Sequence, residues 1–180
     1  FSNKQHLGIT SGGAIDYELF ILSNKLVNNL FNFPVLEFCF QGPSLKLMNG
    51  SSRIAITGNV LFNIKTSKKT FKGNPYQTYI LDKGDIIEIL STLNSNYGYL
   101  SVEGGFKIKK GFESYSIPFS TRVEKNKNLK LSFDQKLYTN KSGSLVISKL
   151  LLKNKIFDNY IRVIPGPQMN YFFPKILKKF

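Results

Sequence analysis

Residues 53–65 read RIAITGNVLFNIK, and this stretch decides the fold. Leu61, Asn63 and Lys65 fall opposite Phe62 and Ile64, the two-residue period of a strand with one buried face. Arg53–Thr57 is a second strand, and Gly58-Asn59 is the turn signal between the two. Outward from there the pattern recurs. Val35–Phe40, Gln77–Leu81, Ile86–Leu90, Tyr99–Val102, Leu129–Phe133 and Leu145–Lys149 read as further strands. Asn49-Gly50, Gly73-Asn74-Pro75, Lys83-Gly84-Asp85, Gly104-Gly105 and Ser142-Gly143 punctuate them. One helix stands out, Tyr17 to Asn28. Leu19, Leu22 and Leu26 recur on one helical face, with Phe20 and Val27 beside them. Asp16 is placed to cap its start, and Asn28 or Asn29 to take the left-handed conformation at its end. Short strands with a single helix predict a mainly β fold, a closed or nearly closed β-barrel with one α-helix near the N-terminus.

A chain of 180 residues that is 42% apolar can bury a core without disulfide staples. Its one cysteine, Cys39, can form no internal disulfide and fits a reducing compartment. Flanked by Phe38 and Phe40, it reads as an inert core thiol. No run reaches the roughly 18 apolar residues of a membrane span, and the expected location is cytoplasmic. The net charge of +14 invites a nucleic-acid reading. The lysines are scattered, however, and only Arg53, Arg122 and Arg162 supply guanidinium groups. Phe1 opens the chain without a start residue and an apolar segment closes it, which suggests a piece of a longer protein.

His6 is the only histidine, so a histidine-based triad or multi-histidine metal site within the chain is excluded; it reads as a surface or turn residue. No phosphate-binding loop with Lys-Ser/Thr and no G-x-S-x-G occurs. Ser11-Gly12-Gly13-Ala14-Ile15-Asp16 is either a glycine turn with a helix cap or a loop whose backbone N–H groups approach a ligand. Glu37, inside an apolar strand, either meets a partner in a site or alternates outward to water. Gly104-Gly105 ends a strand as a hairpin or bulge, or as a close approach to a ligand. Arg162, followed by Pro165-Gly166-Pro167-Gln168, can clamp a carboxylate bidentately or simply lead a linker.

In this order, Ser11-Gly12-Gly13-Ala14-Ile15-Asp16, Ser23-Asn24-Lys25-Leu26-Val27-Asn28-Asn29, Leu36-Glu37, Gly42-Pro43, Ala55-Ile56-Thr57-Gly58, Gly84-Asp85, Tyr99 through Gly105 and Arg162 through Gln168 resemble one family. It is the biotin-dependent carboxyltransferase family that includes the 5-oxoprolinase C subunit, allophanate hydrolase subunit 2 and the antagonist KipA, and the match covers its N-terminal half. Tyr97, Glu113-Ser114-Tyr115-Ser116 and Asn59 depart from the family pattern. The resemblance implies a cyclophilin-like β-barrel over residues 1–160 that lacks its first strand, with a truncated second half starting at 161–180. It implies a hydrolase-type subunit, inactive alone, that acts on a small amide or carboxylate. The partner would be a protein like the 5-oxoprolinase B subunit or allophanate hydrolase subunit 1, with the oxoprolinase A subunit as a possible third component. ATP would enter at the level of the complex, and biotin only through a partner. Ser11, Gly12, Asp16, Asn24, Glu37, Gly104, Gly105, Arg162 and Gln168 are the expected substrate-binding or interface positions. Two rivals are a non-catalytic regulatory antagonist and a basic nucleic-acid-binding barrel.

Overall fold

The computed structural model describes residues 12–108, 115 and 128–131. All of these lie in the first of the two compact units of the chain, Phe1–Val146. The helix, α1, spans Tyr17–Leu26. Eight strands follow among the described residues: β1 Leu36–Cys39, β2 Ser44–Lys46, β3 Ser51–Thr57, β4 Val60–Lys65, β5 Thr70–Lys72, β6 Thr78–Asp82, β7 Ile86–Thr92 and β8 Tyr97–Val102. They form two antiparallel sheets, ordered β1-β8-β3-β6 and β2-β7-β4-β5.

Gly58-Asn59 does not close a hairpin. It carries the chain from β3 in the first sheet to β4 in the second. The crossing needs glycine: φ is +102° at Gly58, and a Cβ there would lie 2.8 Å from the Tyr97 carbonyl oxygen. β4 buries Val60, Phe62 and Ile64 and leaves Leu61, Asn63 and Lys65 half-buried, as its alternation predicts. β3 differs because nearly all of it is buried. Ile54 and Ile56 face the second sheet, and Arg53, Ala55 and Thr57 face the other way. Phe38, Ile54, Ile56, Phe62, Ile64, Ile87, Ile89 and Leu100 fill the space between the sheets.

The mainly β architecture with one helix is as expected, but barrel closure is not seen among the described residues. β1 and β6 remain edges of the first sheet, and β2 and β5 remain edges of the second. Closure requires backbone pairing between such edges, and no described pairing joins them. β2 and β5 were not legible in the sequence because three residues carry no periodicity. Leu131 forms a single bridge to Phe106. The expected strand at Leu145–Lys149 and the boundary at 160/161 lie outside the described residues.

The helix is shorter than the expected Tyr17–Asn28. Val27 is its C-cap, and Asn28 takes the left-handed conformation at φ 61°. Asn29 N donates to Asn24 O at 2.9 Å and Asn28 N to Lys25 O at 3.1 Å, which is the Schellman arrangement. At the other end Asp16 Oδ1 accepts from Leu19 N at 3.0 Å, satisfying one orphan donor.

Candidate functional site

The first sheet presents its outer face to α1. Strand register sets this face in rows. Glu37, Tyr99 and Thr57 stand side by side across β1, β8 and β3. Next to them run Ser101, Ala55 and Thr78. The second row is small, so the helix backbone can approach the sheet closely. Ser101 Oγ donates to Ser23 O at 2.6 Å, and Thr57 Oγ1 donates to Leu19 O at 2.8 Å. Both bonds tie helix carbonyls to the strands beneath.

The start of α1 sits over the first row. Asp16 N donates to Tyr99 Oη at 2.7 Å. Tyr99 Oη donates in turn to Glu37 Oε2 at 2.8 Å, and the same oxygen accepts from Ile15 N at 2.9 Å. One fully buried tyrosine thus joins two carboxylate residues that are distant in sequence by its hydroxyl. Burial, foremost, pushes the Tyr99 hydroxyl well above the usual tyrosine range; the charges of Glu37 and Asp16 add to this, while the Asp16 N–H opposes it. Tyr99 therefore stays protonated and donates to Glu37. Tyr76 is raised as well, chiefly by burial with a contribution from the Asp16 charge, against the Gly58 amide. Its backbone is left-handed at φ 63°, and its N–H is held by Ile56 O at 2.8 Å. Glu37 is exposed, and Oε1 has no hydrogen-bond partner among the described residues. The arrangement offers carboxylate acceptors to an N–H donor from solvent, and it repels anions.

Asp16 and Glu37, two expected site residues, are therefore brought together, with Gly12 exposed just before them. Glu37 alternates outward, as one alternative had it, and its carboxylate accepts from Tyr99 and Ile15. Asn24 belongs elsewhere. It is fully buried, its Nδ2 donates to Phe33 O at 3.0 Å, and its Oδ1 accepts from Asn29 Nδ2 at 3.0 Å. Asn29 Oδ1 then accepts from Gly104 N at 2.9 Å, while Gly105 N bonds Val102 O at 2.9 Å. Both amides of the double glycine are engaged inside the protein. Gly104 sits at φ 81°, so the pair builds a tight turn that only glycine enters freely. Ser11, Arg162 and Gln168 lie outside the described residues.

Cys39 departs from its expected place in the core, because its side chain is exposed. β1 is an edge strand on which Leu36 and Phe38 turn inward, so Glu37 and Cys39 turn outward. The sequence reading missed Tyr99, Tyr76 and Asn29 as members of these networks. The available signal was the alternation of Tyr97, Tyr99 and Ser101 on one face of β8. No group of three or more His, Cys, Asp or Glu side chains suited to a metal occurs among the described residues. A cavity of about 20 Å³ lined by Val35, Leu36, Phe106, Ile108 and Leu129 is apolar and holds at most a water-sized group.

Fold and cluster together define a two-sheet β domain that carries a hydrogen-bonded carboxylate cluster beneath a helix start. The chain belongs to the family described as carboxyltransferase domain, subdomain A and B, whose model matches residues 7–180. It is similar to urea amidolyase of Saccharomyces cerevisiae, 26% identical over 110 residues, or 61% of this chain and 6% of that protein. It is also 26% identical to the 5-oxoprolinase C subunit of Haemophilus influenzae over 119 residues, 66% of this chain and 37% of the relative. The chain thus spans well under half of either relative. Among solved structures, TTHA0988 shares the fold, with a TM-score of 0.65, 23% identity and coverage of 73% of this chain and 49% of that one. Kluyveromyces lactis urea carboxylase gives a TM-score of 0.53 at 26% identity, over 58% of this chain and 9% of its own.

Proposed function

We propose that the chain contributes the substrate-facing surface of one subunit in an ATP-dependent 5-oxoprolinase, opening 5-oxoproline to glutamate, or in a related amidolyase or carboxyltransferase complex. Completion of the site falls to a partner resembling the 5-oxoprolinase B subunit or allophanate hydrolase subunit 1, joined by the A subunit in the oxoprolinase case. The observation that carries this reading is the exposed Glu37 carboxylate, held by Tyr99 and Ile15 beside Asp16, in a chain whose family match runs over residues 7–180. A cyclic amide and a urea both present an N–H next to a carbonyl, and a fixed carboxylate accepts that hydrogen bond. The carboxylate of 5-oxoproline needs a cation instead, a role this reading gives to Arg162.

ATP does not fit the described residues. The amides of Gly104 and Gly105 are engaged, and carboxylates occupy the helix start where phosphate would otherwise bind. The same charges disfavour carboxybiotin there. This reading assigns nucleotide and any biotin to partners. Co-expression with a homologue of the 5-oxoprolinase B subunit tests the proposal. A stable complex with 5-oxoproline-dependent phosphate release is expected. Asp16→Ala should lower turnover at least about tenfold while leaving assembly intact. Assembly without turnover in the unsubstituted complex would instead favour a regulatory antagonist.

A further inference from the structure

The two sheets differ in charge. The strands of the first sheet, β1, β8, β3 and β6, contain no lysine. In the second sheet, β2, β4 and β5 each contribute one: Lys46, Lys65 and Lys72. Lys68 and Lys69 add to them from the β4–β5 turn, where Thr66 N donates to Lys69 O at 2.8 Å. A general lysine bias would populate both sheets.

Register places these lysines on one face. Leu45, Phe62, Ile64, Phe71, Ile87 and Ile89 point into the core, so their neighbours point out. Lys46, Ile86, Lys65 and Thr70 form one outward row, and Ser44, Glu88, Asn63 and Lys72 form the next. At about 4.8 Å per strand, Lys46 and Lys65 stand roughly 10 Å apart, about the Debye length at 0.1 M salt, so their potentials add most at low salt. Glu88 is the only acidic residue in these two rows, and Lys65 Nζ holds it at 2.9 Å. That contact, first as a hydrogen bond, keeps the Glu88 carboxyl below its ordinary range. Lys46 and Lys72 have no ion-pair partner among the described residues. Leu61, half-buried, and Leu90, exposed, lie past Asn63 and Glu88 along β4 and β7, beyond the two rows.

We propose that this face docks an acidic protein surface, whose carboxylates meet Lys46, Lys65 and Lys72 while an apolar side chain rests on Leu61 and Leu90. Lysines to one side of an apolar pair match part of the polar rim and apolar centre of a protein interface. Nucleic acid fits less well: none of the outward residues in the two rows is an arginine or an aromatic that could stack a base. The face belongs to the sheet opposite Asp16 and Glu37, so docking leaves that site open. The proposal does not depend on the enzymatic reading.

The test compares the full chain with a Lys46→Glu, Lys65→Glu, Lys72→Glu variant and with a charge-matched control, Lys25→Glu, Lys107→Glu, Lys130→Glu. Circular dichroism checks the fold of each. Binding to the homologue of the 5-oxoprolinase B subunit is measured from low to high salt. The expected result is association slowed about tenfold or more by the first variant alone, with the salt dependence reduced. Equal binding by both variants overturns the proposal. So does tighter binding to poly(U) RNA than to protein that is lost in the first variant. If the unsubstituted chain forms no complex, the functional reading falls, and retention on immobilised poly-L-glutamate decides the docking face. Earlier elution of the first variant than of the control supports it, and co-elution rejects it.

Discussion

Tyr99 joins the helix start to β1 through one hydroxyl. Its hydroxyl accepts from Asp16 N and donates to Glu37, so Tyr99→Phe strips half-buried Asp16 and exposed Glu37 of their partner. We expect a loss of about 1–3 kcal/mol in urea unfolding, and weaker protection of the Ile15 and Asp16 amides in hydrogen exchange. Tyr99 also predicts a pH response. Its folded-state value is raised, so its contribution is complete below the unfolded value of about 10 and is lost as pH rises toward the folded one. Stability should therefore fall above pH 10 by up to about 1.4 kcal/mol per pH unit for this one group, and Tyr99→Phe should flatten the slope. Neither effect could be read from a list of motifs. Asp16 and Glu37 stood out as lone carboxylates in apolar or glycine-rich settings, whereas a tyrosine in a strand carries no sign of what its hydroxyl will meet.

At the scale of elements, α1 is held at both ends by different chemistry. Its start depends on Asp16, and Asp16→Ala should cost about 1 kcal/mol from the lost cap; thermal unfolding of the isolated chain checks this. Its middle depends on the small row beneath it. Ala55 is fully buried between Ser101 and Thr78, so Ala55→Leu should overpack the contact by roughly 1–3 kcal/mol. Faster exchange confined to α1 amides would locate the damage. The helix, its cap and its left-handed terminus were legible because each is a local rule. The strands on either side of the Gly58 link were legible too. That the link joins two sheets was not, because a two-residue glycine turn looks the same whether the strands pair with each other or with others.

For the whole molecule, the two sheets share one apolar core but have outer faces of opposite character. One bears carboxylates and a helix; the other bears lysines. Cys39 lies on the first of these. An exposed thiol without an internal partner should form a disulfide-linked dimer under oxidant, visible on a non-reducing gel and absent in Cys39→Ser. A monomer that resists oxidation would mean that the thiol is covered. The net charge of +14 was legible from composition. That Lys46, Lys65 and Lys72 share one sheet face required strand order and register.

By itself the sequence determined the β-rich class, the capped helix near the N-terminus, the family resemblance and the placing of Asp16 at the helix start. Those properties rest on local period, local capping and the order of residues along the chain. Tertiary structure alone decided which strands share a sheet, that Tyr99 links the two carboxylate residues, that Gly104-Gly105 has no amide to offer, and that Cys39 faces outward. Each of these depends on strand register, where a shift of one residue exchanges core for surface. Register is set by partners distant in sequence.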